Sequence, residues 1–294
     1  MDDLPIELVN EILLRVDRPS LFYASEVSSV WRRLCLEQVV PIETSEEFEQ
    51  AARRGDRLSL IRSWRKEWVD AGLYGACRGG HRDLVELIIE RGADDWNLGL
   101  YGACQGGHRD LVEWMIEKGA DDWNGGLSGA CQGGHRDLTE LMIEKGARNW
   151  NDGMIRACRS GQRDLAEWMI EKGADDWNHS LVEACWGGQR ELVDLMIQKG
   201  ADDWNGGLYA ACESGQRDLA EWMIEKGADD WNHSLVEACW GGQRELVDLM
   251  IQKGADDWNG GLYAACESGQ RDLADLMIQK GATSCYCGRP LSQH

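Results

Sequence analysis

A phrase of 27 residues returns eight times between residues 71 and 281, and this repetition constrains the fold more than any other feature of the chain. One copy, from Gly99 to Gly125, reads GLYGACQGGHRDLVEWMIEKGADDWNG. A fixed period of this length is typical of stacked arrays, in which each unit buries its apolar face against its neighbours. The sequence therefore predicts a solenoid of small units in place of one large globular core.

Each copy carries the pattern of two short helices. The apolar residues between Leu111 and Ile116 fall on one helical face, and the following Gly119 is suited to end a helix of about ten residues. A shorter first helix is predicted from Leu100 to Gln105, and the tryptophan of each DDWN loop is predicted to pack between units. Helices this short are marginal alone, so the predicted fold class is all-α, a helix-turn-helix solenoid.

Eight of the eleven cysteines recur at the 27-residue spacing. Equivalent positions of stacked helices lie about 8–10 Å apart, beyond the Cα separation that a disulfide usually spans. The chain also shows neither a secretory leader nor an 18-residue apolar run. We therefore expect reduced thiols in an intracellular, reducing compartment and no membrane partner. The eight are Cys77, Cys104, Cys131, Cys158, Cys185, Cys212, Cys239 and Cys266.

The charge balance argues against a nucleic-acid partner. The formal net charge is −21, whereas binders of nucleic acid carry a basic surface. We expect a monomer that binds another protein.

The repeated phrase AC-x-GGH-RDLV-x-x-MI-x-KGAD resembles the ankyrin repeat. Ankyrin units have about 33 residues, so the shorter units here predict an array without long β-hairpin fingers. Short units of this kind also resemble arrays encoded by large DNA viruses of amoebae, which implies the host cytoplasm. The predicted organisation is a linker with a degenerate capping repeat at 41–70, eight ankyrin-like repeats at 71–281 and an irregular tail at 282–294.

Positions that vary between copies are the candidates for recognition. The residue three before each periodic cysteine and the residue one after it share a face of the first helix, because they lie four apart. By resemblance to ankyrin arrays, this recognition row would bind a partner, with aromatic residues as anchors. An alternative is that the aromatic residues only cover neighbouring units. The predicted partner-binding residues are Tyr74, Arg78, Tyr101, Gln105, Ile155, Arg156, Arg159, Trp186, Tyr209, Glu213, Trp240, Tyr263 and Glu267.

The fourth repeat departs from the acidic pattern. Arg148 and Asn149 replace two acids, and Arg156 and Arg159 follow closely in sequence. This suggests a basic island that could receive an acidic segment, although drift without function is an equal alternative.

No catalytic or metal-binding constellation is predicted. His81, His108 and His135 share a position that glutamine takes in the later repeats, which indicates a structural capping role because glutamine does not replace a metal ligand. The GADD acids lack the spacing of a calcium loop and are interpreted as a solvated stripe. Cys285, Cys287 and His294 are one ligand short of a structural zinc site. We expect no enzyme, no cofactor and no metal.

The first forty residues follow a different pattern. DLPIELVNEILLRVDRPSLFYASEVSSVWRRLCLE resembles an F-box, so residues 1–40 are predicted to be a small helical F-box-like head. The resemblance implies binding to a Skp-type adaptor, and through it to a cullin-RING ubiquitin ligase whose target the repeats would hold. The predicted adaptor-binding residues are Leu4, Pro5, Leu8, Ile12, Leu13, Leu21, Val27 and Trp31.

Three other interpretations stay open at this point. The head could be only a helical cap on the first repeat. The chain could be an ankyrin-like scaffold or sequestering inhibitor with no ubiquitin link. It could also mimic nucleic acid toward a basic partner.

Overall fold

The computed structural model describes residues 42–56, 59–60 and 63–283, and the predicted head and tail lie outside this part. The chain divides after Asn149 into two compact units. Every regular element in the described residues is a helix, and no strand occurs among them. The prediction of an all-α, helix-turn-helix repeat fold without β-hairpin fingers is confirmed for the described part.

The first unit contains seven α-helices and one short 3₁₀ helix, Lys66–Trp68, among its described residues. The α-helices are α1 Ser45–Arg53, α2 Val69–Gly79, α3 Arg82–Glu90, α4 Trp96–Gly106, α5 Arg109–Lys118, α6 Trp123–Gly133 and α7 Arg136–Lys145.

The second unit contains five hairpins among its described residues. Their helices are α8 Trp150–Ser160, α9 Arg163–Lys172, α10 Trp177–Trp186, α11 Arg190–Lys199, α12 Trp204–Ser214, α13 Arg217–Lys226, α14 Trp231–Trp240, α15 Arg244–Lys253, α16 Trp258–Glu267 and α17 Arg271–Lys280. In each unit, the first helix of a hairpin packs on its second helix and on the first helices of the adjacent hairpins.

The core is built from equivalent positions in successive repeats. In α4 and α5, Leu100, Cys104, Leu111 and Met115 are fully or almost fully buried, and Ile116 is half-buried. The second helix ends as predicted at Gly119, whose φ of +112° is a conformation that favours glycine. The degenerate sequence before the array forms α1, which buries Phe48, Ala51 and Ala52 and packs on α2.

The first helices are longer than predicted because the DDWN segment starts them. The carboxylate of Asp95 accepts a hydrogen bond from the backbone N–H of Leu98, so Asp95 caps α4 and Trp96 is its first residue. Trp96 is half-buried, and its ring centroid lies 5.9 Å from the Lys118 ammonium at the end of α5. The second aspartate of each pair is therefore a helix cap and not simply a solvated charge.

The asparagine after each tryptophan joins successive repeats. Asn178 Oδ1 accepts hydrogen bonds from the backbone N–H groups of Asp202 and Asp203 at 2.8 and 3.1 Å, while its Nδ2 donates to Asp202 Oδ1. Asn97, Asn124, Asn151, Asn205 and Asn232 accept the same pair of backbone bonds within their own units. This asparagine ladder satisfies loop backbone groups and fixes the spacing of neighbouring loops.

Candidate functional site

The recognition row lies on the first helices, as predicted, and in the first unit its polar groups are bonded to one another. Tyr74 Oη donates to Gln105 Oε1 at 2.7 Å, and Tyr101 Oη donates to Gln132 Oε1 at 2.8 Å. The two tyrosine rings stack with centroids 5.8 Å apart, and Arg78 Nη1 donates to Tyr74 Oη at 3.1 Å. Burial raises the pKa of Tyr74 above 10.0 despite the nearby Arg78. This part of the row is a bonded, ordered surface.

Glycine brings the first helices of this unit close together. A Cβ atom on Gly102 would lie 2.6 Å from the carbonyl oxygen of Tyr74, and one on Gly129 would lie 2.6 Å from that of Tyr101. In the second unit, the same repeat position holds Arg156, Glu183, Ala210, Glu237 and Ala264. The close approach that supports the tyrosine stack is therefore a property of the first unit.

The second unit presents exposed aromatic residues on the recognition row. Trp186, Trp240 and Tyr263 are 37 %, 45 % and 37 % exposed, and they are the exposed large hydrophobic side chains of the described residues. Above Trp186, the Arg159 guanidinium lies 3.6 Å from the ring centroid. The same guanidinium pairs with Glu183 at 3.0 Å.

Tyr209 is engaged with the following repeat. Its hydroxyl donates to Asp230 Oδ2 at 2.5 Å, and its ring stacks on His233 with centroids 4.2 Å apart. Desolvation and the hydrogen bond to Asp230 raise the Tyr209 pKa, while the same hydrogen bond holds the Asp230 pKa below 3.8. Tyr209 therefore positions the loop that begins α14.

Tyr209→Phe is expected to lower the free energy of unfolding at pH 7 by about 1 kcal/mol, because it removes a hydrogen bond to a partly exposed carboxylate. A carboxylate with a lowered folded pKa contributes stability that is present above its unfolded pKa and is lost as the pH falls through the folded pKa. The difference between wild type and variant should therefore shrink below about pH 4. Urea denaturation from pH 3 to 7 measures it.

Tyr263→Phe is the matched control for this prediction. Residues 254–271 repeat residues 200–217 letter for letter, but Ser284 stands where Asp230 follows Tyr209. This control should show no acid-dependent difference from wild type. A Tyr209→Phe difference that persists unchanged at pH 3 would show that Asp230 does not carry the effect.

Two members of the predicted row offer little surface. Ile155 is 8 % and Gln105 is 9 % exposed, because Ile155 packs into the core of its repeat and Gln105 lies under the Tyr74 hydroxyl. Ile155 and Gln105 therefore pack beneath the exposed side chains of the row. Glu213 and Arg156 are half-buried, while Glu267 is exposed.

The basic island is not an unpaired patch. Arg148 belongs to the first unit, where its Nη1 donates to the carbonyl oxygens of Ile143 and Ala147 at the end of α7. In the second unit, Arg156 lies 3.5 Å from Asp152, and Arg159 is paired with Glu183. Arg148 and Arg159 thus have local acceptors and Arg156 has a nearby carboxylate, while the binding of an acidic segment stays a prediction.

The recurrent histidine and glutamine side chains satisfy helix carbonyl groups. His81 Nε2 lies 3.0 Å from the carbonyl oxygen of Arg53, and Gln243 Nε2 donates to that of Gly241 at 2.9 Å. Neither side chain caps its own following helix. His81 thus contacts the end of a helix in the preceding repeat, whereas Gln243 folds back over its own turn to the residue that follows α14.

No group of three possible metal ligands occurs among the described residues. In the same part of the chain, no helix combines the length and the apolar character needed to cross a bilayer. Cys285, Cys287, His294 and all eight predicted adaptor-binding residues lie outside it.

The sequence interpretation did not single out Glu183, Glu237 or His233. All three belong to the HSLVEACW phrase that occurs at 179–186 and again at 233–240. The signal available in the sequence was the pairing of a carboxylate three residues before an exposed tryptophan, which places both on one helix face.

Comparisons with known proteins give one family match and one structural match. Residues 1–42 match the family model of the F-box domain. The crystal structure of the human ASB11 ankyrin repeat domain matches with 21 % identity, covering 63 % of this chain and 99 % of that one, at a TM-score of 0.41. No curated protein matches the chain. The findings support an F-box domain at residues 1–42, followed by the helix-turn-helix repeats described above.

Proposed function

We propose that this chain is the substrate-recognition adaptor of an SCF-type cullin-RING ubiquitin ligase. The F-box domain match over residues 1–42 carries this proposal. In it, the head binds a Skp-type adaptor, and the repeats bind the protein to be ubiquitylated. The chain acts as a monomer in a reducing intracellular compartment, which agrees with the free, mostly buried cysteines of the described residues.

The repeats have the surface that a target-binding arm needs. Trp186, Trp240 and Tyr263 are exposed on first helices of the second unit. Large aromatic residues of this kind dominate the binding energy of many protein interfaces. The asparagine ladder and the buried core hold these helices in register within the unit, so little order has to be gained on binding.

The proposed mechanism is proximity. A target held on the repeats while the head is bound to the ligase has its lysines at a high effective concentration near the ubiquitin-loaded enzyme. The chain itself supplies no catalytic group in this scheme. Its contribution is binding at two places.

Leu8→Asp and Ile12→Asp are each expected to abolish binding to a purified Skp-type adaptor, because a carboxylate would replace an apolar side chain in the predicted contact. Affinity should fall by at least about 100-fold, as measured by biolayer interferometry on the full chain. Trp240→Ala, on the repeats, is the control and should bind the adaptor like wild type. Equal adaptor binding by wild type and both head variants would refute the assignment.

The second candidate is an ankyrin-like scaffold or sequestering inhibitor with no ubiquitin link. The observation that favours it is the net charge of −21, which suits long-lived capture of a basic protein. A reconstituted ubiquitylation reaction separates the two candidates. Modification of a captured protein that requires residues 1–40 supports the ligase adaptor, whereas capture without modification supports the scaffold.

A further inference from the structure

Two near-identical segments of the second unit each carry a glutamate and a tryptophan on one helix face. Only the first of these pairs is in contact with an arginine side chain of the chain itself. Glu183 and Trp186 lie on α10, and their copies Glu237 and Trp240 lie on α14. In both copies the carboxylate precedes the tryptophan by three residues on the same helix face. The two sites differ mainly in what the preceding first helix places beside them.

At the first site, a guanidinium occupies the pair. Arg159, on the preceding first helix α8, stacks 3.6 Å above the Trp186 ring and binds Glu183 at 3.0 Å. A planar guanidinium can stack on an aromatic ring and donate to a carboxylate at once, which an ammonium does less well. The first site therefore shows that a guanidinium fits between the tryptophan ring and the glutamate carboxylate.

At the second site, the equivalent cation is missing. The position of Arg159 is taken by Glu213, and no cation among the described residues stacks on Trp240. Trp240 is accordingly 45 % exposed, against 37 % for Trp186. His233 Nε2 lies 3.2 Å from Glu237, but a carboxylate accepts several hydrogen bonds and keeps room for another donor.

We propose that Trp240, Glu237 and Glu213 bind an arginine side chain of a partner protein. The guanidinium stacks on Trp240 as Arg159 does on Trp186, and it pairs with Glu237. Glu213 adds a second carboxylate where the first site has the cation itself. The acidic chain attracts the basic segment that carries the arginine. This inference deepens the proposed function by naming the chemistry of the target segment, and it needs no ligase component.

The test uses the full chain and a fluorescein-labelled peptide with three arginines separated by glycines, in an anisotropy titration. Trp240→Ala is expected to weaken binding about fivefold or more, because the stacking face is lost. Trp222→Ala is the matched control, since Arg190 already lies 3.8 Å above that ring on the second helices. A lysine version of the peptide should bind more weakly than the arginine version.

Charge exchanges at positions 213 and 159 test whether the second site binds a guanidinium as the first site binds Arg159. Glu213→Arg should fill the second site from within and reduce peptide binding, whereas Glu225→Arg makes the same change in net charge on α13 and should have less effect. Arg159→Glu should empty the first site and raise the number of bound peptides from one to two. Circular dichroism confirms that each variant is folded.

Loss of peptide affinity that follows net charge alone, with Trp240→Ala equal to wild type, would overturn the proposal. Absence of binding by wild type at millimolar peptide would also overturn it. Neither result bears on the head, because adaptor binding is measured separately. Glu213→Arg should bind the Skp-type adaptor like wild type, so failure of this inference and failure of the proposed function are distinguishable.

Discussion

Gly102→Ala is expected to destabilise the first unit by about 1 to 3 kcal/mol, although alanine is the better helix former by roughly 1 kcal/mol. The added Cβ atom would lie 2.6 Å from the backbone carbonyl oxygen of Tyr74 and 2.9 Å from Cδ2 of its ring. Backbone cannot turn aside as a flexible side chain can, so α2 and α4 would have to separate. Separation would stretch the Tyr74–Gln105 hydrogen bond and the stack of Tyr74 on Tyr101.

Urea denaturation followed by far-ultraviolet circular dichroism measures the change. Ala210→Gly is the matched control, because Ala210 occupies the same repeat position in the second unit and is buried there. It should lose about 1 kcal/mol, chiefly from helix propensity, and relieve no contact. If Gly102→Ala is as stable as wild type, the close approach of α2 and α4 is not required for the packing of this unit.

Local signals predicted the second helices well. The apolar face, the basic last turn and the glycine stop are all encoded within ten residues, and α5 accordingly spans Arg109–Lys118. The first helices were predicted too short, because the DDWN segment was interpreted as a loop between repeats. The helix starts earlier because the Asp95 carboxylate caps it one residue before Trp96. Helix propensity of a segment is weak evidence beside a good cap.

The sequence predicted which helix positions form the recognition row, but not which of their side chains are exposed. Ile155 and Val182 are equivalent in sequence, yet Ile155 is buried and Val182 is only partly so. The stacking of Arg159 on Trp186 joins residues on different helices, so it depends on how neighbouring helices are offset. Such offsets are set by side-chain packing across 27 residues or more, which no local pattern records.

The periodic cysteines are expected to resist alkylation in the folded chain by a factor of about 1,000 at pH 8, because the thiolate is the reactive form. Burial raises the pKa of Cys77, Cys104, Cys158, Cys185, Cys212 and Cys239 from 9.0 to about 12. Three pKa units correspond to roughly a thousandfold smaller thiolate fraction. Any labelling that does occur should follow local opening of a repeat.

Cys266 should be the exception among the eight. It is half-buried, whereas the other seven periodic cysteines are buried, and it lies in the last described hairpin. Among the described residues this hairpin packs on one neighbouring hairpin only, so we expect it to open at lower free energy than hairpins packed between two neighbours. We therefore expect one fast site and seven slow sites.

Iodoacetamide labelling followed by intact mass counts these sites in a background where Cys35, Cys285 and Cys287 are serine. Tryptic peptides cannot assign the fast site, because residues 200–217 and 254–271 are identical in sequence. Cys266→Ser resolves this, since it should remove the fast step and leave the seven slow ones unchanged, with guanidinium-unfolded chain as the reference for full reactivity. A fast step that survives Cys266→Ser would place the weakest repeat elsewhere, and rapid labelling of all seven would show that the hairpins open independently of their stacked neighbours.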